Sequence, residues 1–293
     1  MKFSVIVLFL TCFLLHSCSQ KTESTTDTSS KKLTHNQSIV GLIEGKIFCV
    51  PSPYKFAQHI RKLEISYNPT LLNDVSNRNL YQNTFRKSVN LGIYGVNLAY
   101  INTFQQATDA VQYFSVINSL SADLGLSDVF DIKTLERLEN NIGNKDSILI
   151  ILTNKYQEAD MRLKKENQQG VAALILTGSW IESLYLLTQI EKEKPHPQTR
   201  EHIAEHMFSA SGILELLKPL YNTGDNYTWI IDAIVDLCYE FDGITYDYTY
   251  AKPITYPDLK RTVFTSQSSI DIKPEQLKNI SEKIEDLRNA IIR

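Results

Sequence analysis

Along most of this chain the apolar residues recur every three to five positions, the spacing of a helix that buries one face. Ser52-Pro53 reads as a cap followed by a proline in the first turn, which predicts a helix over 54–65 that stops at Asn68-Pro69. Leu80, Phe85, Val89, Ile93, Val96 and Tyr100 predict one long helix over 71–103. Ala107, Val111, Phe114, Ile117 and Leu120 carry the next, over 105–124, and Gly125 ends it. Asp131 caps a short helix that runs to Asn141 and is closed by Gly143, and Asp146 caps another over 147–167. The pattern continues over 168–192 until Pro195 and Pro197 break the chain. Further helices are expected over 199–217, 225–241 and 274–292. Short connections between so many helices favour antiparallel neighbours, so the expected fold is an all-α, antiparallel multi-helix bundle.

One stretch departs from that period. Residues 243–271 are rich in Thr and Tyr, contain Pro253 and Pro257, and alternate Tyr246, Tyr248 and Tyr250 with Asp247 and Thr249. Period two predicts an extended segment, a hairpin or strap across the bundle. Its tyrosines suit either covering a core or, as the sharper alternative, a carbohydrate-binding face.

The N-terminus has a third pattern. After Met1-Lys2, residues 3–15 form an apolar run of 13, followed by Leu15-His16-Ser17-Cys18. A bilayer span needs about 20 apolar residues, so the run reads as a targeting signal. Leu15 at −3 and Ser17 at −1 resemble the lipobox of bacterial lipoproteins, in which Cys18 is acylated and the chain is cut just before it. His16 at −2 departs from the small residue common there. Residues 19–38 hold one large apolar side chain, Leu33, among Ser and Thr, too little to order a core. The expected organisation is therefore a signal peptide over 1–17, acylated Cys18 with a flexible tether over 18–38, and a helical domain over 39–293. The net charge of −3 and 22% charged residues give no basic face for nucleic acid. Cys12 leaves with the signal and Cys18 takes lipid, so Cys49 and Cys238 remain, either as a disulfide or as two buried thiols.

Candidate chemistry is sparse. His202-Ile203-Ala204-Glu205-His206 matches H-x-x-E-H, which would present two histidines on one helical face to a zinc ion with Glu205 as base. The surroundings lack a third ligand at diagnostic spacing, and a solvated helix face accounts for the same residues. No metal ligand, catalytic residue or cofactor site is assigned. Residues 170–190 are hydrophobic nearly all round and should lie at the bundle centre, yet they contain Glu182. A buried carboxylate must be paired, hydrogen-bonded or protonated. Trp180, Glu182 and Tyr185, with Tyr94, Asn97 and Tyr100 from the other strongly apolar segment, are the candidate ligand-pocket residues. The alternative is a structural network with Glu182 tied to a cation. Gly92, Gly95 and Gly178 weaken their helices unless close helix packing offsets the loss. There is no G-x-S-x-G, C-x-x-C, phosphate-binding glycine loop or EF-hand spacing.

At residues 94–100, 124–126 and 178–185 the chain resembles helical lipoproteins of Bacteroidota-type outer-membrane bacteria. That resemblance covers 40–293, implies a helical body on a lipid anchor, and transfers no catalytic residues. Ser19 after Cys18 and the weak acidic signal near it imply the outer membrane, facing the periplasm. The expectation is a non-enzymatic binding or scaffolding module of the cell envelope, partnered by the membrane and an envelope protein. A small-ligand protein with a cavity around Glu182, and a metal-dependent hydrolase using the H-x-x-E-H segment, are the alternatives.

Overall fold

The computed structural model describes residues 39–43, 46–50, 53–141 and 144–293. The signal segment, Cys18 and the tether lie outside the described residues. The described chain is a multi-helix bundle with a few short antiparallel strands. In chain order it contains β1 (Ile39–Ile43), β2 (Lys46–Val50), α1 (Pro53–Lys62), α2 (Thr84–Thr103), α3 (Ala107–Asp123), α4 (Ile132–Glu139), α5 (Lys145–Lys165), α6 (Gln169–Glu193), α7 (Pro197–Leu217) and α8 (Asp225–Phe241). Then come β3 (Thr245–Thr249), β4 (Ile254–Tyr256), β5 (Arg261–Val263), β6 (Gln267–Asp271) and α9 (Pro274–Ile292).

The two most apolar helices make the centre. Every residue of α2 from Ser88 to Thr103 is buried, and so is almost all of α6 from Ala172 to Glu191. They lie against each other more extensively than any other pair, with α3, α5 and α9 touching one or both and α1 and α7 completing the ring. Two glycines permit the closeness. A Cβ on Gly178 would stand 1.9 Å from the Val89 carbonyl oxygen, and one on Gly92 would stand 2.0 Å from that of Ile175. Backbone therefore meets backbone at this crossing, as the glycines in the sequence suggest. α6 is also long and apolar enough to cross a membrane, but most of it is enclosed by the other helices, which is how a core helix looks.

Helix starts follow local chemistry. Asn83, Asp131 and Asn144 accept hydrogen bonds from the backbone N–H groups of Arg86, Thr134 and Ser147 and so cap α2, α4 and α5. Asn144 thus takes the role expected of Asp146, which sits in the first turn instead. Pro197 opens α7 at its first position, two residues before the expected start at Thr199.

The expected single helix over 71–103 is shorter than its periodicity suggests. Its first part forms two 3-10 turns, Pro69–Leu71 and Val75–Leu80, and α2 begins only after Asn83. Asn68 and Asp74 bind their own backbone two residues on, which closes turns in place of helix. A hairpin also precedes α1, with β1 paired antiparallel to β2 in the register Ile39↔Val50.

Candidate functional site

Glu182 stands on α6 at the bundle centre, fully buried, and faces Arg288 on α9. Arg288 Nε and Nη2 donate to the two carboxylate oxygens at 3.0 and 3.2 Å, a bidentate pair. Arg288 Nη2 also donates to the Leu71 carbonyl at 3.1 Å, and its guanidinium lies 4.5 Å from the centre of the Tyr185 ring. Burial, which alone would lower the Arg288 pKa, is outweighed by Glu182, so the guanidinium is held above its ordinary value. Asn97 Nδ2 donates to the same carboxylate, and its Oδ1 accepts from the Asn73 N–H at 3.0 Å. Asn73 carries the chain onward to Tyr81 at 2.9 Å and Asn90 at 3.2 Å.

The network ends on the last turn of α9. Tyr81 donates to the Ile292 carbonyl at 3.2 Å, Asn90 reaches that of Ile291 at 3.4 Å, and Arg86 reaches those of Ile291 and Arg293. Terminal helix carbonyls have no partner within the helix and carry the negative end of its dipole, so an arginine and two amide or hydroxyl donors suit them.

The six candidate pocket residues are therefore divided. Asn97, Glu182 and Tyr185 meet around Arg288. Tyr94 borders them, its ring 6.4 Å from that of Tyr81 and its hydroxyl donating to the Asp74 carbonyl at 2.7 Å. Tyr100 stands apart: its oxygen accepts from the Asn68 N–H at 3.2 Å, among Tyr67 and Phe104. Trp180 faces α7, where its indole N–H donates to Ser209 Oγ at 2.9 Å. The residues missing from the sequence reading are Arg288, Asn73, Asn90 and Tyr81. Arg288 had a signal, since it falls on the stripe of Ile280, Ile284, Leu287 and Ile291 that α9 buries. The asparagines had none beyond their type.

The H-x-x-E-H residues lie where α7 meets α1. His202 Nδ1 is 2.9 Å from Glu205, and its ring meets that of His59 edge-on at 4.3 Å. His206 Nδ1 is tied to the His202 carbonyl at 2.9 Å, and its buried Nε2 has no hydrogen-bond partner. These side chains line a void of about 20 Å³, room for one water and too small for an organic ligand. Among the described residues no group of three or more His, Cys, Asp or Glu side chains is placed to hold a metal ion. Burial first, then the charge of His202, lowers the His59 pKa to about 4, and burial lowers that of His206 to about 4. Cys238 carries a free, half-buried thiol, so the disulfide alternative does not hold for it. Burial and Asp242 push that thiol up to about 11.

Polar groups inside the bundle are thus largely matched to one another, and the densest run of exposed large apolar side chains lies on residues 245–271. β3 pairs antiparallel with β6 and, nested between them, β4 pairs with β5. The Ser266 hydroxyl joins the two ladders through the N–H and carbonyl of Ala251. Among the described residues each ladder has only two strands, so neither outer edge pairs with a further strand. Tyr246 and Ile270 are cross-strand partners, and Tyr246 meets Phe208 of α7 edge-on at 5.7 Å, which seats the base of the arm. Exposure then rises outward along one face, from 46% at Tyr246 to 57% at Tyr248 and 69% at Tyr250. Ile254, Tyr256, Leu259 and Phe264 continue the exposed set. Three acidic residues (Asp247, Asp258, Asp271) balance three basic ones (Lys252, Lys260, Arg261), so the arm has no net charge.

No protein-family model, curated protein or solved structure matches this chain.

Proposed function

We propose that this chain is a lipid-anchored binding or scaffolding module of the cell envelope, without enzymatic activity, held through Cys18 at the outer membrane and facing the periplasm. Its contact element is the nested arm of 245–271. The observation that carries this reading is the row of exposed side chains from Tyr246 to Phe264 on a segment whose strands pair with no third strand among the described residues. Exposed aromatic rings provide large contact area at small conformational cost, and a free edge accepts an extended segment of a partner through main-chain hydrogen bonds. The absence of net charge on the arm favours a polypeptide over a phosphate backbone as partner. The leader and Cys18 supply the anchor, as their resemblance to a lipobox implies.

The test is site-specific photo-crosslinking in the native envelope. A photoreactive side chain at Tyr248 should give a discrete adduct with an envelope protein, and one at Met161, somewhat more exposed on α5, should not. The adduct should disappear when Tyr250 and Phe264 are replaced by Ser, with the melting temperature unchanged, because substitutions at such exposed positions usually stay within about 0.5 kcal/mol. Equal labelling from both sites, or none from Tyr248, refutes the arm as contact element. A free thiol at Cys18 in the intact mass of the native protein refutes the anchor.

A further inference from the structure

A cleft of about 410 Å³ opens where the end of α6, the start of α7 and the first two turns of α9 come together. It lies within the size range of small-molecule sites, roughly 300–1,000 Å³. Its apolar wall comes from Ile272, Pro274 and Leu277, and its rim carries Lys192, Arg200 and Lys278 against a single acid, Glu191. A lining with two more cations than anions is notable in a chain whose net charge is −3.

Two donors on this lining lack an acceptor. Ser281, 2% exposed, has a buried hydroxyl with no hydrogen-bond partner. Arg200 Nε stands 3.0 Å from Glu191 Oε1, yet the pair is not aligned for a hydrogen bond. The other Glu191 oxygen, Oε2, accepts from the His196 N–H at 2.9 Å, which fixes the turn between α6 and α7. The other two rim cations hold only surface carboxylates: Lys192 meets Glu285 at 2.9 Å and Lys278 meets Glu282 at 3.8 Å. Exposed pairs of this kind are worth about 1 kcal/mol or less, so a ligand can exchange them cheaply.

We infer that this cleft binds a small organic anion: a carboxylate or phosphate head between Arg200 and Lys278, with a short apolar body against Ile272 and Leu277. The Ser281 hydroxyl has the chemistry to donate to a polar group on that body. This site is separate from the Glu182 network two turns earlier on α6, and it goes beyond the proposal for the arm, so either can stand without the other.

The experiment is calorimetric titration of the full-length protein, with its arm unaltered, using hexanoate, hexyl phosphate and hexylammonium as probes. One of the two anions should bind saturably at one per chain, its identity reporting the head group preferred, and hexylammonium should not bind. Lys278→Gln, at a side chain 70% exposed and therefore neutral to folding, should weaken the anion at least about threefold. Ser281→Ala should weaken it as well, while leaving the melting temperature unchanged or raised. Absence of saturable binding by both anions overturns the inference. So does equal binding of hexylammonium, or full affinity in Lys278→Gln.

Discussion

The pairing of Glu182 with Arg288 shows what one carboxylate in an apolar helix requires. Both groups are almost completely buried, and their attraction has to offset the loss of water around two charges. What makes the pair tolerable is the company: Asn97, the Leu71 carbonyl and the Tyr185 ring use the remaining hydrogen-bonding and electrostatic capacity. Replacing Glu182 by Gln strands the Arg288 charge, and denaturant unfolding should show a loss of about 3–5 kcal/mol. Replacing both residues by Leu should cost less than the single change, because no buried charge is then left alone. A double variant as damaged as the sum of its parts would contradict this. The sequence exposed half of the arrangement: an acid amid LTGSWIESLYLL must find a partner. It concealed the other half, because Arg288 lies 106 residues away and Asn73 sits in a turn whose role appears only once α2 and α9 are packed.

At the scale of elements, the crossing of α2 and α6 is set by glycine. Alanine at position 178 would gain about 1 kcal/mol of helix propensity but would drive a methyl group into the Val89 carbonyl. The clash should dominate, and Gly178→Ala should lower the unfolding free energy by at least about 2 kcal/mol. A neutral or stabilising result would mean that the two helices can separate without penalty. Periodicity located every α-helix among the described residues because burial at the bundle centre selects apolar residues at the helical spacing. It overran at 71–83 because apolar residues there serve turns as well as helices. Just before and within that stretch the short amide and carboxylate side chains of Asn68 and Asp74 compete with the helix for backbone donors. The hairpin of β1 and β2 was missed although its two five-residue, mostly apolar strands stand only two residues apart and the second of these is Gly45, a recognised hairpin spacing. The arm of 245–271 was legible as extended structure from its alternating tyrosines. That its face is turned to solvent was not, since alternation is the same whichever side is covered.

For the molecule as a whole, the contact of α1 with α7 makes stability depend on pH. His59 and His206 have folded pKa values lowered from 6.5 to about 4, so the unfolded chain takes up protons that the folded one refuses. Stability is therefore highest above pH 6.5 and falls as pH drops toward 4, by up to about 3 kcal/mol for each group. Below 4 both states are protonated and this contribution levels off. Urea unfolding at pH 7 and pH 4.5 should show the loss, and the double variant His59→Asn, His206→Asn should show a smaller one. An identical pH dependence in both proteins would assign the effect to other groups. The long reach of the central ion pair also has a bearing on biosynthesis. A ribosome finishes the most apolar helix well before it adds the arginine that neutralises it. During that interval the growing chain carries an acid without its partner in its most apolar segment, so the bundle centre can close only after α9 has been added, 106 residues later.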